Sequence, residues 1–477
     1  MKKEFAGFRN RFSMAVALIL ASSSASAAVN TWQGSLSSDF NDPFNWSLGA
    51  LDASDTSTFT GPALVQPNVS ADITVAKVNF ALGSTNYVLS SSPGASLFLT
   101  TSPVIVSQSN VGTNTVSANL ALSGGGAKLF NQAGPATLWV SGNISETTPG
   151  TQVKYERVSS AGGKYLITGQ NTYSGDTTFL DGTFTITSFG NVGEPSSVGT
   201  SGTLWLANPG IASSRDAVLI YAGAGETTDK TIVIAAGSGS RTISTQGATG
   251  PLALNNLAIA LTAALPKLTF SGDSEGNVLN ALIPDPSAST ITTVFKSGTG
   301  TWKFTANNVY TGPTTLNSSG GTLLVDGDQS AATGTVTVNT GAALGGQGIV
   351  GGSTTVATGA RLLATLETGA PSFAASLTMN GGSAMTFEAV DAVAVAGALT
   401  LVNNWTLKLG SGFKNGGSTV LFSYGTLGAS PDLVPTFDVA DLGFTPTGPL
   451  SLTDTGSEIV LNGVRVPPSG MTVVVVR

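Results

Sequence analysis

The stretch "GKYLITGQNTYSGDTTFLDGTFTI" (Gly163–Ile186) recurs as "GTWKFTANNVYTGPTTLNSSGGTLLV" (Gly300–Val325). The offset between Asn171 and Asn308 is 137 residues. Gly163 aligns with Gly300, Tyr165 with Trp302 and Ile167 with Phe304. Asn171, Tyr173 and Gly175 align with Asn308, Tyr310 and Gly312. After Phe179 and Leu316 the second copy gains two residues, and Thr183 and Thr322 restore the register. The repeated letters are an aromatic and aliphatic alternation, an asparagine, a tyrosine, a glycine and a Thr-Thr pair. Alternation marks strands with one buried face, Asn and Gly mark corners, and β-branched threonines favour a strand start. The single acidic residue of the inner phrase, Asp176, has Pro313 as its counterpart, so no catalytic group is preserved.

Looser echoes surround the two copies, at Gly126–Ser145 and Gly334–Ala364. Short runs such as "ITVAKVNF" (Ile73–Phe80), "ASLFLT" (Ala95–Thr100) and "SPVIVSQ" (Ser102–Gln108) are broken by Gly, Ser, Pro or Asn. Strands every eight to twelve residues in units of about 20 to 25 indicate a solenoid. Coils of about 22 residues predict around 20 turns and a rod on the order of 100 Å long. The stretch Leu252–Leu265 comes nearest to a helical period and is read as strand–turn–strand around Asn255-Asn256.

The repeated phrase resembles the autotransporter-associated β-strand repeat of exported bacterial surface proteins. The resemblance implies a right-handed parallel β-helix of passenger type, and it implies a surface or adhesin role. It covers about 50 residues of the two copies. The expected fold is therefore all-β: a parallel β-solenoid with an N-terminal aromatic cap and an irregular β C-terminal cap. The terminal "NGVRVPPSGMTVVVVR" (Asn462–Arg477) lacks the alternating strands and aromatic girdle of a translocator barrel, so no barrel is expected.

Composition agrees with this class. Of 477 residues 60 are glycine and 10% are charged, while 41% are hydrophobic, which excludes a disordered chain. Residues 1–27 read as a secretory signal. Lys2, Lys3, Arg9 and Arg11 precede the apolar run Phe12–Ala21, and Ala25-Ser26-Ala27 offers a cleavage site. About ten residues are too few to span a bilayer. The chain beyond residue 27 carries 16 basic and 26 acidic residues, with no basic cluster for nucleic acid or anionic lipid. The expected partners are cell-surface or matrix glycans or proteins, with no nucleic acid, and the chain is not expected to be an integral membrane protein. The expected location is the outer cell surface or medium, with the periplasm as the alternative.

Residues 28–61 are rich in aromatics and read as the N-terminal cap, residues 62–397 as the solenoid, and residues 398–477 as the C-terminal β cap. The tail "MTVVVVR" (Met471–Arg477) is apolar and β-prone.

The absence of histidine and cysteine removes triads, thiol nucleophiles and zinc clusters. Only carboxylate chemistry remains, as in glycosidases. The close pairs are Asp39/Asp42, Asp52/Asp55, Asp273/Glu275, Asp326/Asp328 and Glu388/Asp391; each is read as a turn rather than a catalytic or calcium site. No catalytic residue, cofactor or metal is expected, and the rival reading is a β-helix enzyme acting on polysaccharide. Among the tryptophans, Trp139, Trp205, Trp302 and Trp405 are expected in the core, and Trp32 and Trp46 are the candidates for exposure. The positions Gly163, Asn171, Tyr173, Gly175, Gly300, Asn308, Tyr310 and Gly312 are assigned structural roles, the asparagines and the 175/312 glycines as corners that tolerate positive φ or bond their own backbone.

Overall fold

A computed structural model describes residues 28–464, apart from 159–161, 208–215, 236–238, 261–265, 389–390, 412–417, 443 and 447. The signal segment and the "MTVVVVR" tail lie outside the described residues. The chain folds as a parallel β-solenoid of about 16 turns, with essentially no helix. At about 4.8 Å per turn the stack is about 75 Å long. Strands pair in parallel with their neighbours one coil on. The spacing is not uniform: Thr137 pairs with Lys164 and Thr177 with Leu204, whereas Val336 pairs with Thr354. Wider coils than the 22 residues expected from the phrase account for the smaller number of turns.

The coils carry two or three strands each, and their inward residues stack into one continuous apolar interior. The first sheet of the coil can be followed from Lys164–Ile167 through Thr183–Ile186, Ala217–Tyr221, Ser240–Thr245, Lys267–Gly272 and Thr293–Lys296 to Thr314–Leu316. That path contains a relationship that the aligned letters conceal. The first copy contributes its opening strand to this sheet, and the second contributes its Thr-Thr strand. The phrase is used twice at different rotational positions of the coil, one strand apart.

Each copy is one turn of the solenoid plus the start of the next. Tyr165 pairs with Phe184, and Trp302 pairs with Leu323. In the first copy Thr177–Ile186 is a single strand bent at Gly182, whose φ is 117°. In the second, the two extra residues turn that bend into a corner with Ser319 at φ 56° and Gly321 at φ 62°.

Tyr165, Ile167, Trp302 and Phe304 all point inward and are buried. The tryptophan expectations need correcting. Trp302 and Trp405 are buried, but Trp139 is 37% exposed and Trp205 is half-buried. Their outward positions follow from strand alternation, since Leu138 and Val140, and Leu204 and Leu206, take the inward ones. Trp32 and Trp46 are buried instead of exposed. They pack edge to face at 5.2 Å, with Phe40 4.9 Å from Trp46. The indole nitrogens donate to the carbonyls of Val65 and Phe40. Both indoles also pack on Phe59, at 6.3 Å from Trp32 and 6.0 Å from Trp46, and Phe59 stacks on Phe80 at 5.2 Å, so the rings join the solenoid interior.

Asn255 and Asn256 do not form a turn between two strands. Gly250–Ile259 is one strand, and only its ladder to the previous coil shifts, between Thr228 and Thr231. Parallel pairing continues at the far end through Thr436–Asp438. The strands Ser451–Asp454 and Glu458–Asn462 then pair antiparallel, the second of them also against Thr419–Leu427.

Candidate functional site

The repeated phrase works on the inside of the coil. Asn171 is fully buried; its Oδ1 accepts from the Ile144 amide at 2.8 Å and its Nδ2 donates to the Ser197 carbonyl at 2.8 Å. One side chain thus links the coil below to the coil above. Asn308 repeats the lower bond, accepting from Ile283 at 2.8 Å, but its Nδ2 has no partner among the described residues. Asn114 and Asn277 accept in the same way from the amides of Tyr87 and Leu252. The asparagine side chains bond backbone groups of neighbouring coils rather than of their own corner, and neither Asn171 nor Asn308 adopts positive φ.

Gly175 and Gly312 do not adopt positive φ either. A Cβ on Gly175 would stand 2.4 Å from the Thr151 backbone, and one on Gly312 would stand 2.1 Å from the Thr292 carbonyl oxygen. Close approach of the coil below, not a left-handed backbone, is what requires glycine there. Gly163 and Gly300 are similarly crowded, by Gly134 and Ser274. The Tyr173 phenol lies 2.7 Å from the Thr177 hydroxyl, and the Tyr310 phenol 2.6 Å from that of Thr314. Burial pushes the Tyr310 phenol up to about 12, and Tyr173 higher still.

The carboxylates mostly hold backbone. Asp39 and Asp42 accept from the amides of Asn41 and Phe44. Asp52 accepts from Ser54, which lowers its pKa, and Asp55 accepts from the Asp52 amide. Asp273 and Asp328 accept from Gly247 and Ser330, and Glu388 from Leu366. Asp326 pairs with Lys303 at 3.0 Å. Among the described residues no three carboxylates form a metal-holding group. Buried cations escaped the sequence reading because a lysine letter carries no burial signal. The Lys296 ammonium donates to the carbonyls of Ser297, Gly298 and Gly320, and that of Lys230 to Gly199 and Ser201.

On the outside, one feature is regular. Thr315, Thr337, Thr355, Thr378 and Thr400 occupy the same outward mid-strand position in successive coils, each paired with the next. Thr335, Ser353 and Ser376 flank them on one side and Asn317, Asn339 and Asn380 on the other. None of these positions is charged. The two inward neighbours of each threonine are buried, which holds the strand flat and fixes the hydroxyls at the inter-strand spacing of about 4.8 Å.

The chain is 41% identical over 93 residues to the adhesin BmaC autotransporter of Brucella suis biovar 1 (strain 1330). This shared stretch and the β-solenoid together fit an autotransporter passenger-type protein. The match covers 20% of this chain and 2% of that relative's length. No family model matches the chain, and no solved structure matches it. Among the described residues no helix is long and apolar enough to cross a membrane.

Proposed function

We propose that this chain is an exported, non-enzymatic surface protein of adhesion type, a passenger-like rod that meets cell-surface or matrix glycans or proteins. The observation that carries the reading is the threonine ladder. A rigid, uncharged row of hydroxyls repeating every coil matches a partner that also repeats, and it needs no catalytic group. The similarity to an autotransporter adhesin supports the same reading and supports export to the cell surface. Carboxylates spent on backbone amides support the non-enzymatic part.

The test is binding of purified residues 28–477 to cells, extracellular matrix and a glycan array. Thr337→Arg with Thr378→Arg places two charges on the ladder without entering the core. Loss of binding with an unchanged thermal midpoint supports the reading; undiminished binding refutes the ladder as the contact face. Protease shaving of intact cells locates the protein.

One observation favours the second reading, a polysaccharide-active enzyme. Glu275 and Glu367 both line a groove on another sheet of the coil. Release of new reducing ends from a polysaccharide panel, abolished by Glu275→Gln or Glu367→Gln, would establish it in place of adhesion.

A further inference from the structure

The groove holding Glu275 and Glu367 encloses about 650 Å³, within the size range of saccharide-scale ligand sites. Its floor comes from the second copy of the repeat. In Thr301–Phe304 the core takes Trp302 and Phe304, so Thr301 and Lys303 face out. Thr322, Leu324 and Leu363 continue that floor from the next coils. Gly345 lies between the two leucines, and a Cβ there would come within 3.0 Å of Leu363 and 3.3 Å of Leu324. Glu275 and Gly276 form one wall, and Glu367 and Thr368 the other.

The charges in the groove are not balanced. Lys303 is neutralised by Asp326 at 3.0 Å. Glu275 and Glu367 are exposed, and among the described residues neither has an ion-pair or hydrogen-bond partner. Glu275 supports the charge of the buried Lys296 through space, but that ammonium is already held by three carbonyls. The groove therefore offers two carboxylates to a positive ligand, the hydroxyls of Thr301, Thr322 and Thr368 to polar groups, and a leucine floor to C–H faces.

We infer that this groove binds an amine-bearing saccharide, its ammonium groups set against Glu275 and Glu367 and its ring faces against Leu324 and Leu363. A basic peptide fits less well. The backbone groups of Thr301–Phe304 and Thr322–Val325 are used in pairing between coils, so an extended peptide finds no main-chain partner on this face. The inference rests on the non-enzymatic surface-protein reading and adds to it a saccharide site on a face other than the threonine ladder.

The experiment is calorimetric titration of residues 28–477 with a free-amine glucosamine oligomer, its fully N-acetylated counterpart and oligolysine. Mildly acidic buffer keeps the ligand's amines protonated. The expected result is binding of the free-amine oligomer at least tenfold tighter than of either control. Glu275→Gln with Glu367→Gln should weaken it at least tenfold without moving the thermal midpoint. Equal binding of the acetylated oligomer, tighter binding of oligolysine, indifference to the double substitution, or no binding at all overturns the assignment. Adhesion to cells is measured on the same preparation. Adhesion without amine-dependent saccharide binding removes the groove assignment alone, whereas loss of all adhesion in the unaltered protein removes the reading it rests on.

Discussion

The Tyr310 phenol sits 2.6 Å from the Thr314 hydroxyl inside the coil, and Tyr173 makes the same contact with Thr177 at 2.7 Å. The two pairs differ in what lies beyond them. The Thr177 hydroxyl also bonds the Val198 carbonyl at 2.7 Å, whereas the Thr314 hydroxyl has no second partner among the described residues.

Tyr→Phe substitutions should separate these two environments. Tyr173→Phe leaves Thr177 bonded and should cost less than about 1 kcal/mol. Tyr310→Phe strands a buried hydroxyl and should cost about 1–3 kcal/mol. Urea midpoints at constant slope measure both; equal losses would contradict the difference in their surroundings.

The asparagines offer a second comparison. Asn171→Ala unpairs the Ile144 amide and the Ser197 carbonyl, and should cost about 2–4 kcal/mol. Asn308→Ala unpairs only the Ile283 amide while removing an amide group that is itself unsatisfied, so its loss should be the smaller. Denaturation midpoints in the reverse order would show that Asn308 has a bond partner in solution.

Glycines distinguish close approach from backbone strain. Gly312→Ala forces the coil at Thr292 to move and should cost about 1–3 kcal/mol or more. Gly150 has φ 83° and open space around it, so Gly150→Ala should cost about 1 kcal/mol from conformation alone. Thermal midpoints check the order, with Gly175→Ala expected to follow Gly312→Ala.

Stability should rise from neutral into mildly alkaline pH. Burial pushes the Lys296 ammonium down to about 8 from 10.5. Above pH 8 the folded chain gives up a proton that the unfolded chain still holds, so the folded state gains with pH, by of order 1–3 kcal/mol. Above about pH 10 the unfolded tyrosines ionise while buried Tyr310, pushed up to about 12, does not, and stability falls again. A urea midpoint peaking between about pH 8 and 10 is expected, with the rising limb shallower in Lys296→Met. A steady decline across that interval would contradict the assignment.

The phrase around Asn171 made the coil legible because inward positions on a strand must be apolar and corners must be small or polar. Tyr165, Ile167, Trp302 and Phe304 could be placed inside for that reason alone. Trp139 and Trp205 could not be placed correctly by residue type, since on a strand the neighbour's parity, not the ring itself, decides the side. Trp32 and Trp46 were hidden by their polar surroundings in sequence; they are buried because they pack on each other, on Phe40 and on Phe59 of the next strand, a contact that only stacking creates.

The sequence by itself determined a repeating β-coil and the absence of imidazole and thiol groups, because alternation and residue inventory are local. The tertiary structure decided what stacks on what. Only stacking aligns Thr315 with Thr337, Thr355, Thr378 and Thr400, and only stacking brings Glu275 and Glu367, 92 positions apart, to one groove. In a solenoid, residues one coil apart meet at the strand spacing while coil lengths vary from turn to turn, so no fixed interval in the letters reveals which side chains share a surface.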